Sequence, residues 1–110
     1  MKRCLIIDDS PLIRRVACAI IESFGLQVRE AENCRQAFEL CVIDMPDVIL
    51  LDWRVPGMSA HKFMSALAAY GPRSWPYIFY CTTELDYLDM RHAGAAGAAD
   101  VIVKPFNRGT

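Results

Sequence analysis

Five polar residues stand at the ends of four short apolar runs. Leu5-Ile6-Ile7 ends at Asp8-Asp9, Val48-Ile49-Leu50-Leu51 at Asp52, Tyr77-Ile78-Phe79-Tyr80-Cys81 at Thr82, and Val101-Ile102-Val103 at Lys104. Buried parallel strands read as continuous apolar runs, and open α/β sheets bind ligands beyond the carboxyl ends of their strands. Side by side, these strands would bring three carboxylates, a hydroxyl and an amine into one crevice. Carboxylates that close repel one another unless a cation sits among them. Mg²⁺ suits them, because it takes hard oxygen ligands and keeps positions free for water or phosphate oxygens. Lys104 would add a fixed positive charge and Thr82 a hydroxyl donor. Each residue alone has a plainer reading: an aspartate after a strand is commonly a cap or turn former. Their coincidence at several strand ends is what sets the group apart.

The elements that would position them alternate along the chain. Cys4 to Ile7 reads as the first strand. Ser10-Pro11 opens a helix, as an N-cap followed by proline at the first helical position. Leu12, Ile13, Val16, Ala17, Ile20, Ile21 and Phe24 give that helix an apolar face, and Gly25 ends it. Gln27 to Ala31 is a short second strand. Asn33 and Gln36 have capping-box spacing and open a second helix carrying Ala37, Phe38 and Cys41. The third strand follows Pro46-Asp47, and Arg54 to Met58 is a loop. Ser59 caps a third helix through Phe63, Met64 and Leu67, and Gly71 to Ser74 leads to the fourth strand. Glu84 to about Ala93 is expected to be a fourth helix, with a small-residue turn into the fifth strand. The order βαβαβαβαβ predicts a doubly wound, five-stranded parallel sheet with helices on both faces.

The 110 residues fit one domain, and at 54% hydrophobic and 23% charged they can bury a core. A net charge of -1 carries no nucleic-acid or membrane footprint. No apolar run approaches the roughly 20 residues that span a bilayer. After Met1-Lys2-Arg3 only four apolar residues precede Asp8, which argues against a signal peptide. The five cysteines, Cys4, Cys18, Cys34, Cys41 and Cys81, have no CxxC spacing and sit in apolar segments. They read as buried thiols of a reducing cytosol. Trp75 is expected in the core; His61 and His92 are expected on the surface.

The chain resembles the receiver domains of two-component response regulators over essentially its full length. The resemblance is carried by Ile6-Ile7-Asp8-Asp9-Ser10, Leu50-Leu51-Asp52-Trp53-Arg54-Val55-Pro56-Gly57-Met58, Cys81-Thr82-Thr83-Glu84, Ala93-Gly94-Ala95 and Val103-Lys104-Pro105-Phe106. Within the family it is most similar to single-domain chemotaxis-type receivers. The resemblance implies the flavodoxin-like receiver fold, with Asp52 as phosphoacceptor. It implies Mg²⁺ on Asp9, Asp52 and the backbone carbonyl of Arg54, with Asp8 acting largely through a bound water. Thr82 and Lys104 would sense the acyl phosphate, and Lys104-Pro105 would be a cis peptide. A histidine kinase or phosphotransfer protein would donate the phosphoryl group, and a downstream protein target would read it. Such a receiver catalyses only its own phosphorylation and dephosphorylation, in the cytoplasm.

Departures from the family pattern set further expectations. Val101 stands where the family usually has an aromatic switch residue. Thr83 replaces a common small residue, and Trp53, Thr83, Glu84 and Pro105 would flank the site. Arg54 and Glu84 could pair as a lid or remain two solvated charges. The sequence leaves no room for a fifth helix after Pro105, so residues 1–110 are expected to form a receiver domain cut before its last helix. The face left open could pack against another segment or a second copy as a homodimer. Two rival functions remain: a receiver-like scaffold that binds regardless of phosphorylation, and an aspartyl phosphohydrolase on a related sheet. The latter typically places its nucleophile first in a DxD after the first strand, unlike Asp8-Asp9.

Overall fold

The computed structural model describes residues 2–52, 54–82 and 100–103. The described strands are β1 (Arg3–Ile7), β2 (Gln27–Ala31), β3 (Val48–Asp52), β4 (Tyr77–Thr82) and β5 (Asp100–Val103). They form one parallel sheet in the order β2-β1-β3-β4-β5. The chain therefore moves outward from β1 in both directions, and β1 and β3 flank the point where the winding reverses. Among the described residues, three helices connect β1 through β4: α1 (Pro11–Ser23), α2 (Cys34–Ile43) and α3 (Ala60–Tyr70).

Local chemistry sets the helix ends. Ser10 Oγ accepts from the Ile13 N–H at 3.2 Å, Asn33 Oδ1 from the Gln36 N–H at 2.8 Å, and Ser59 Oγ from the Lys62 N–H at 3.1 Å. Each satisfies a donor that the first helical turn leaves open. The Asn33–Gln36 box is modified: Gln36 Oε1 accepts from the Glu32 N–H, one residue before the cap. Gly71 ends α3 in the left-handed region at φ 72, where any side chain would be strained.

The strand pleat sorts side chains onto two core faces. Leu5 and Ile7 of β1, Ile49 and Leu51 of β3, and Ile78 and Tyr80 of β4 pack with Phe63 and Leu67 of α3 and Ala37 and Cys41 of α2. Cys4, Ile6, Leu50 and Cys81 face the opposite way, onto Ala17 of α1. Helices thus cover both faces, as the alternating element order predicts.

One expectation is met and one needs correction. Apolar side chains of the first helix are exposed, as expected: Ala17 is enclosed, while Leu12, Val16 and Phe24 are open. The apolar set spans about 180° of helix surface, and the sheet covers only the side centred on Ala17 and Ile21. Trp75 is not in the core but 46% exposed, because it lies in the α3–β4 loop ahead of the first β4 residue. The thiols follow expectation more closely. None of the five is in a disulfide; Cys4, Cys34, Cys41 and Cys81 are buried and Cys18 is half-buried. His61 is exposed on α3, as expected. The expected helix over 84–93, His92 and everything after Val103 lie outside the described residues.

Candidate acidic site at the carboxyl ends of the strands

Register brings the carboxylates together. Ile7 pairs with Leu51 across the β1–β3 ladder, so Asp8 and Asp52 emerge side by side at the carboxyl edge. The Asp8 N–H donates to the Ala31 carbonyl at 3.1 Å, which carries the β1–β2 pairing one residue further and fixes where Asp8 leaves the sheet. Asp9 follows in the bend. Each of Asp8, Asp9 and Asp52 offers a carboxylate oxygen, and these atoms all lie within 4.8 Å of one another. Asp8 is 3% and Asp52 6% exposed, while Asp9 reaches solvent.

Two buried aspartates and one exposed aspartate form an acidic cup. Burying such charge is costly unless something compensates it. The start of α1 supplies part of the compensation: Asp8 Oδ1 accepts from the Ser10 N–H at 3.0 Å. An all-oxygen donor set of three carboxylates fits a hard divalent cation such as Mg²⁺ and offers no soft sulfur ligand. Beside the cup, a cavity of ≈ 520 Å³ is lined by Asp9, Asn33, Arg35 and Pro56 to Met58. The cup is therefore reachable from solvent on the side of the β3–α3 loop.

The other expected site residues fall as follows. Arg54 is exposed in the turn two residues beyond Asp52, with Val55 buried beside it. Thr82 closes β4, one position beyond Cys81, which pairs with Asp52. Val101 lies in β5 paired with Tyr80, and Val103, the residue before Lys104, pairs with Thr82. The strand ends of β1, β3, β4 and β5 thus share one edge of the sheet. Trp53, Thr83, Glu84, Lys104 and Pro105 lie outside the described residues.

Among the described residues, Arg14 is a neighbour of the site that sequence reasoning missed. Its Nη1 donates to the Asp8 carbonyl oxygen at 2.7 Å and its Nε to Glu30 Oε1 at 3.1 Å. Helix side chains lean back toward the N-terminus, so an arginine in the first turn after a capped Ser10 can reach the preceding strand end. That lean was the available signal. Cys34, at the start of α2, is a second neighbour of the site. Its thiol is pushed up to about 12 by burial first and by the Asp52 charge second. It is held protonated, a packing group and not a nucleophile.

A parallel sheet whose winding reverses beside an acidic cup matches a known class of signalling domain. Residues 4–110 match the family model of the response regulator receiver domain, and the chain belongs to that family. Protein PilH of Pseudomonas aeruginosa is 32% identical over 110 residues, spanning 100% of this chain and 91% of that protein. The chemotaxis protein CheY of Thermotoga maritima is 33% identical over 106 residues, 96% of this chain and 87% of that one. The structure of CheY4 from Vibrio cholerae superposes with a TM-score of 0.87 at 29% identity, covering 99% of this chain and 91% of that one. The chain is also 32% identical to the phosphate regulon transcriptional regulatory protein PhoB of Escherichia coli, but spans only 46% of its length. The flavodoxin-like receiver fold and the kinship with chemotaxis-type receivers follow from these matches.

Proposed function

We propose that this receiver takes a phosphoryl group from the phosphohistidine of a histidine kinase or phosphotransfer protein onto Asp52, and that the change switches binding to a downstream protein. The observation that carries the reading is the convergence of the Asp8, Asp9 and Asp52 carboxylates within 4.8 Å at adjacent strand ends. An Asp52 oxygen attacks phosphorus, the O–P bond forms as the N–P bond of the donor breaks, and the electron pair leaves with the imidazole. Asp8 and Asp9, with Asp52 itself, would hold Mg²⁺, and the Arg54 carbonyl is the further ligand proposed. When bound there, Mg²⁺ would supply charge neutralisation for the phosphoryl group.

Arg14 and the Ser10 N–H hold the Asp8 end of the cup, so the acidic pair needs little rearrangement to act. Thr82 and Lys104 are the proposed sensors, because a hydroxyl and an amine can contact the added oxygens only after transfer. Such differential contacts shift a pre-existing equilibrium between two conformations. Val101 supplies no aromatic ring to that switch. The protein would be no enzyme beyond its own phosphorylation and dephosphorylation, and would act in the cytoplasm. Among the described residues no helix is long and apolar enough to cross a membrane.

Incubation with acetyl phosphate and Mg²⁺, followed by intact mass measurement, tests the reading. A single added phosphoryl group, absent in Asp52→Asn and absent with excess EDTA, is expected. An unmodified parent protein, or equal modification of Asp52→Asn, would overturn it. Multiple-turnover phosphate release from an organic phosphate ester would favour the phosphohydrolase.

A further inference from the structure

A second surface lies at the opposite edge of the sheet, where the strands begin. Here the α2–β3 and α3–β4 loops enclose a groove of ≈ 530 Å³, within the range of ligand pockets. Its apolar wall is made by Val42, Tyr70, Trp75 and Tyr77. These are 43%, 49%, 46% and 55% exposed, an unusual concentration of large apolar groups at one end of a small domain. Ile43, 76% exposed, sits next to Val42 at the end of α2.

Two of the rings are held in place from behind. Tyr70 meets Phe38 edge-on, with centroids 6.3 Å apart and planes at 86°. Tyr77 stacks tilted on Phe79 at 5.1 Å. Held aromatic groups lose little entropy when something packs on them, which is what a binding surface requires.

Charge selects the occupant. Lys2 and Arg73 line the same groove, and neither has an ion-pair partner among the described residues. The one carboxylate of the lining, Asp47, already accepts from the Arg3 N–H at 2.9 Å. Among the described residues of the lining, two cations face one carboxylate, so the groove keeps a net positive charge that Asp47, held by the backbone, does not cancel. We infer that the groove formed by Tyr70, Trp75 and Tyr77 with Lys2 and Arg73 binds an acidic peptide segment of a partner protein, anchored by an aromatic or large aliphatic side chain. The apolar anchor would fill the space between the rings, and flanking carboxylates would meet Lys2 and Arg73.

The position has a consequence for signalling. Val48 begins β3 near the groove and Asp52 ends it at the acidic cup, so the two lie about 13 Å apart along one strand. A peptide in the groove leaves the acidic cup open. It would tether a partner whether or not Asp52 is modified.

Selection of short random peptides displayed on phage, against the intact protein, tests the inference. The enriched peptides are expected to carry Asp or Glu around Trp, Phe or Leu. Their binding should fall about tenfold or more in both Arg73→Glu and Trp75→Ala, and stay unchanged in Asp52→Asn. Both substituted side chains are exposed, and circular dichroism confirms that the variants fold. Failure to enrich, enrichment of basic or uncharged peptides, or equal binding to the groove variants would overturn it. So would equally strong binding to phosphatidylserine vesicles with the same Arg73 dependence, which would make the surface a lipid contact.

Discussion

Arg14 donates from the first turn of α1 to the backbone carbonyl of Asp8 at 2.7 Å, and through the same guanidinium to Glu30 on β2 at 3.1 Å. One side chain thereby ties the end of β1, the start of α1 and the end of β2. Its head is mostly buried, at 16% exposure, while Glu30 stays open to solvent at 44%. The bond to Asp8 is charge-assisted and sheltered, and so contributes more than the exposed half of the pair.

Arg14→Ala should therefore cost stability of about 1–3 kcal/mol and should also weaken Mg²⁺ binding several-fold, because the Asp8 main chain loses its tether. Arg14→Lys should recover only part of both, since one ammonium cannot reproduce a planar fork. Urea unfolding and calorimetric Mg²⁺ titration measure the two effects separately. An Arg14→Ala protein with reduced stability but parental Mg²⁺ affinity would confine the residue to a structural role.

The cup itself predicts a stability trade. Asp8, Asp9 and Asp52 place three carboxylate oxygens within 4.8 Å, and two of the residues are buried. Asp52→Asn keeps the shape and removes one like charge. Without metal, the variant should be more stable than the parent by on the order of 1–3 kcal/mol. Mg²⁺ should reverse the order: at a hundredfold excess over its dissociation constant the parent gains about 2.7 kcal/mol, and the variant much less. Melting curves with EDTA and with Mg²⁺ decide it. A variant less stable than the parent in EDTA would show that the repulsion is already compensated.

The loop after β3 offers a clean test of backbone conformation. Gly57 has φ +84, and a Cβ built there meets nothing within 4 Å. The cost of Gly57→Ala is then conformational alone, about 1–2 kcal/mol, with no steric term. Because Gly57 lines the cavity beside Asp9, Mg²⁺ affinity should fall only if the loop shifts to relieve the strain. Urea midpoints and Mg²⁺ titration of Gly57→Ala separate the two responses, and an unchanged midpoint would contradict the conformational cost.

Much of this geometry is legible in the sequence, and the reasons differ by element. The buried strands read to within about one residue because both faces of β1 and β3 are covered, which leaves unbroken apolar runs such as Leu5-Ile6-Ile7. Edge strand β2 was thinner, with Val28 its clearest apolar member, since only part of it is buried. The caps Ser10, Asn33 and Ser59 act locally and so are visible locally. Asp8, Asp9 and Asp52 could be placed together because strand ends share an edge. Arg14 was harder to place: the backward lean of helix side chains aims it at the strand end, but its partners come from two other elements. Trp75 misled for a related reason: a large apolar residue is a core candidate by type, and only the path of the α3–β4 loop puts it on the surface.

The buried thiols give the protein an alkaline limit. Burial raises Cys4 and Cys34 to about 12 and Cys41 to about 11, from an ordinary value of 9.0. Above pH 9 the unfolded chain loses these protons while the folded chain keeps them. Folding stability is thus fully present below pH 9 and falls as pH rises toward 11 and 12, by about 1.4 kcal/mol per pH unit for each thiol. Cys34 is fully enclosed and feels the Asp52 charge as well, so it isolates one share of the effect. Cys34→Ala should be less stable than the parent at neutral pH by about 1 kcal/mol, through the small void it leaves. It also lacks one of the protons that the folded parent must retain. The urea stabilities of parent and variant should therefore meet as pH rises from about 8 to about 10, and the variant should be the more stable of the two above that. Parallel curves over that range would mean that the Cys34 thiol ionises as readily in the folded protein as in the unfolded chain.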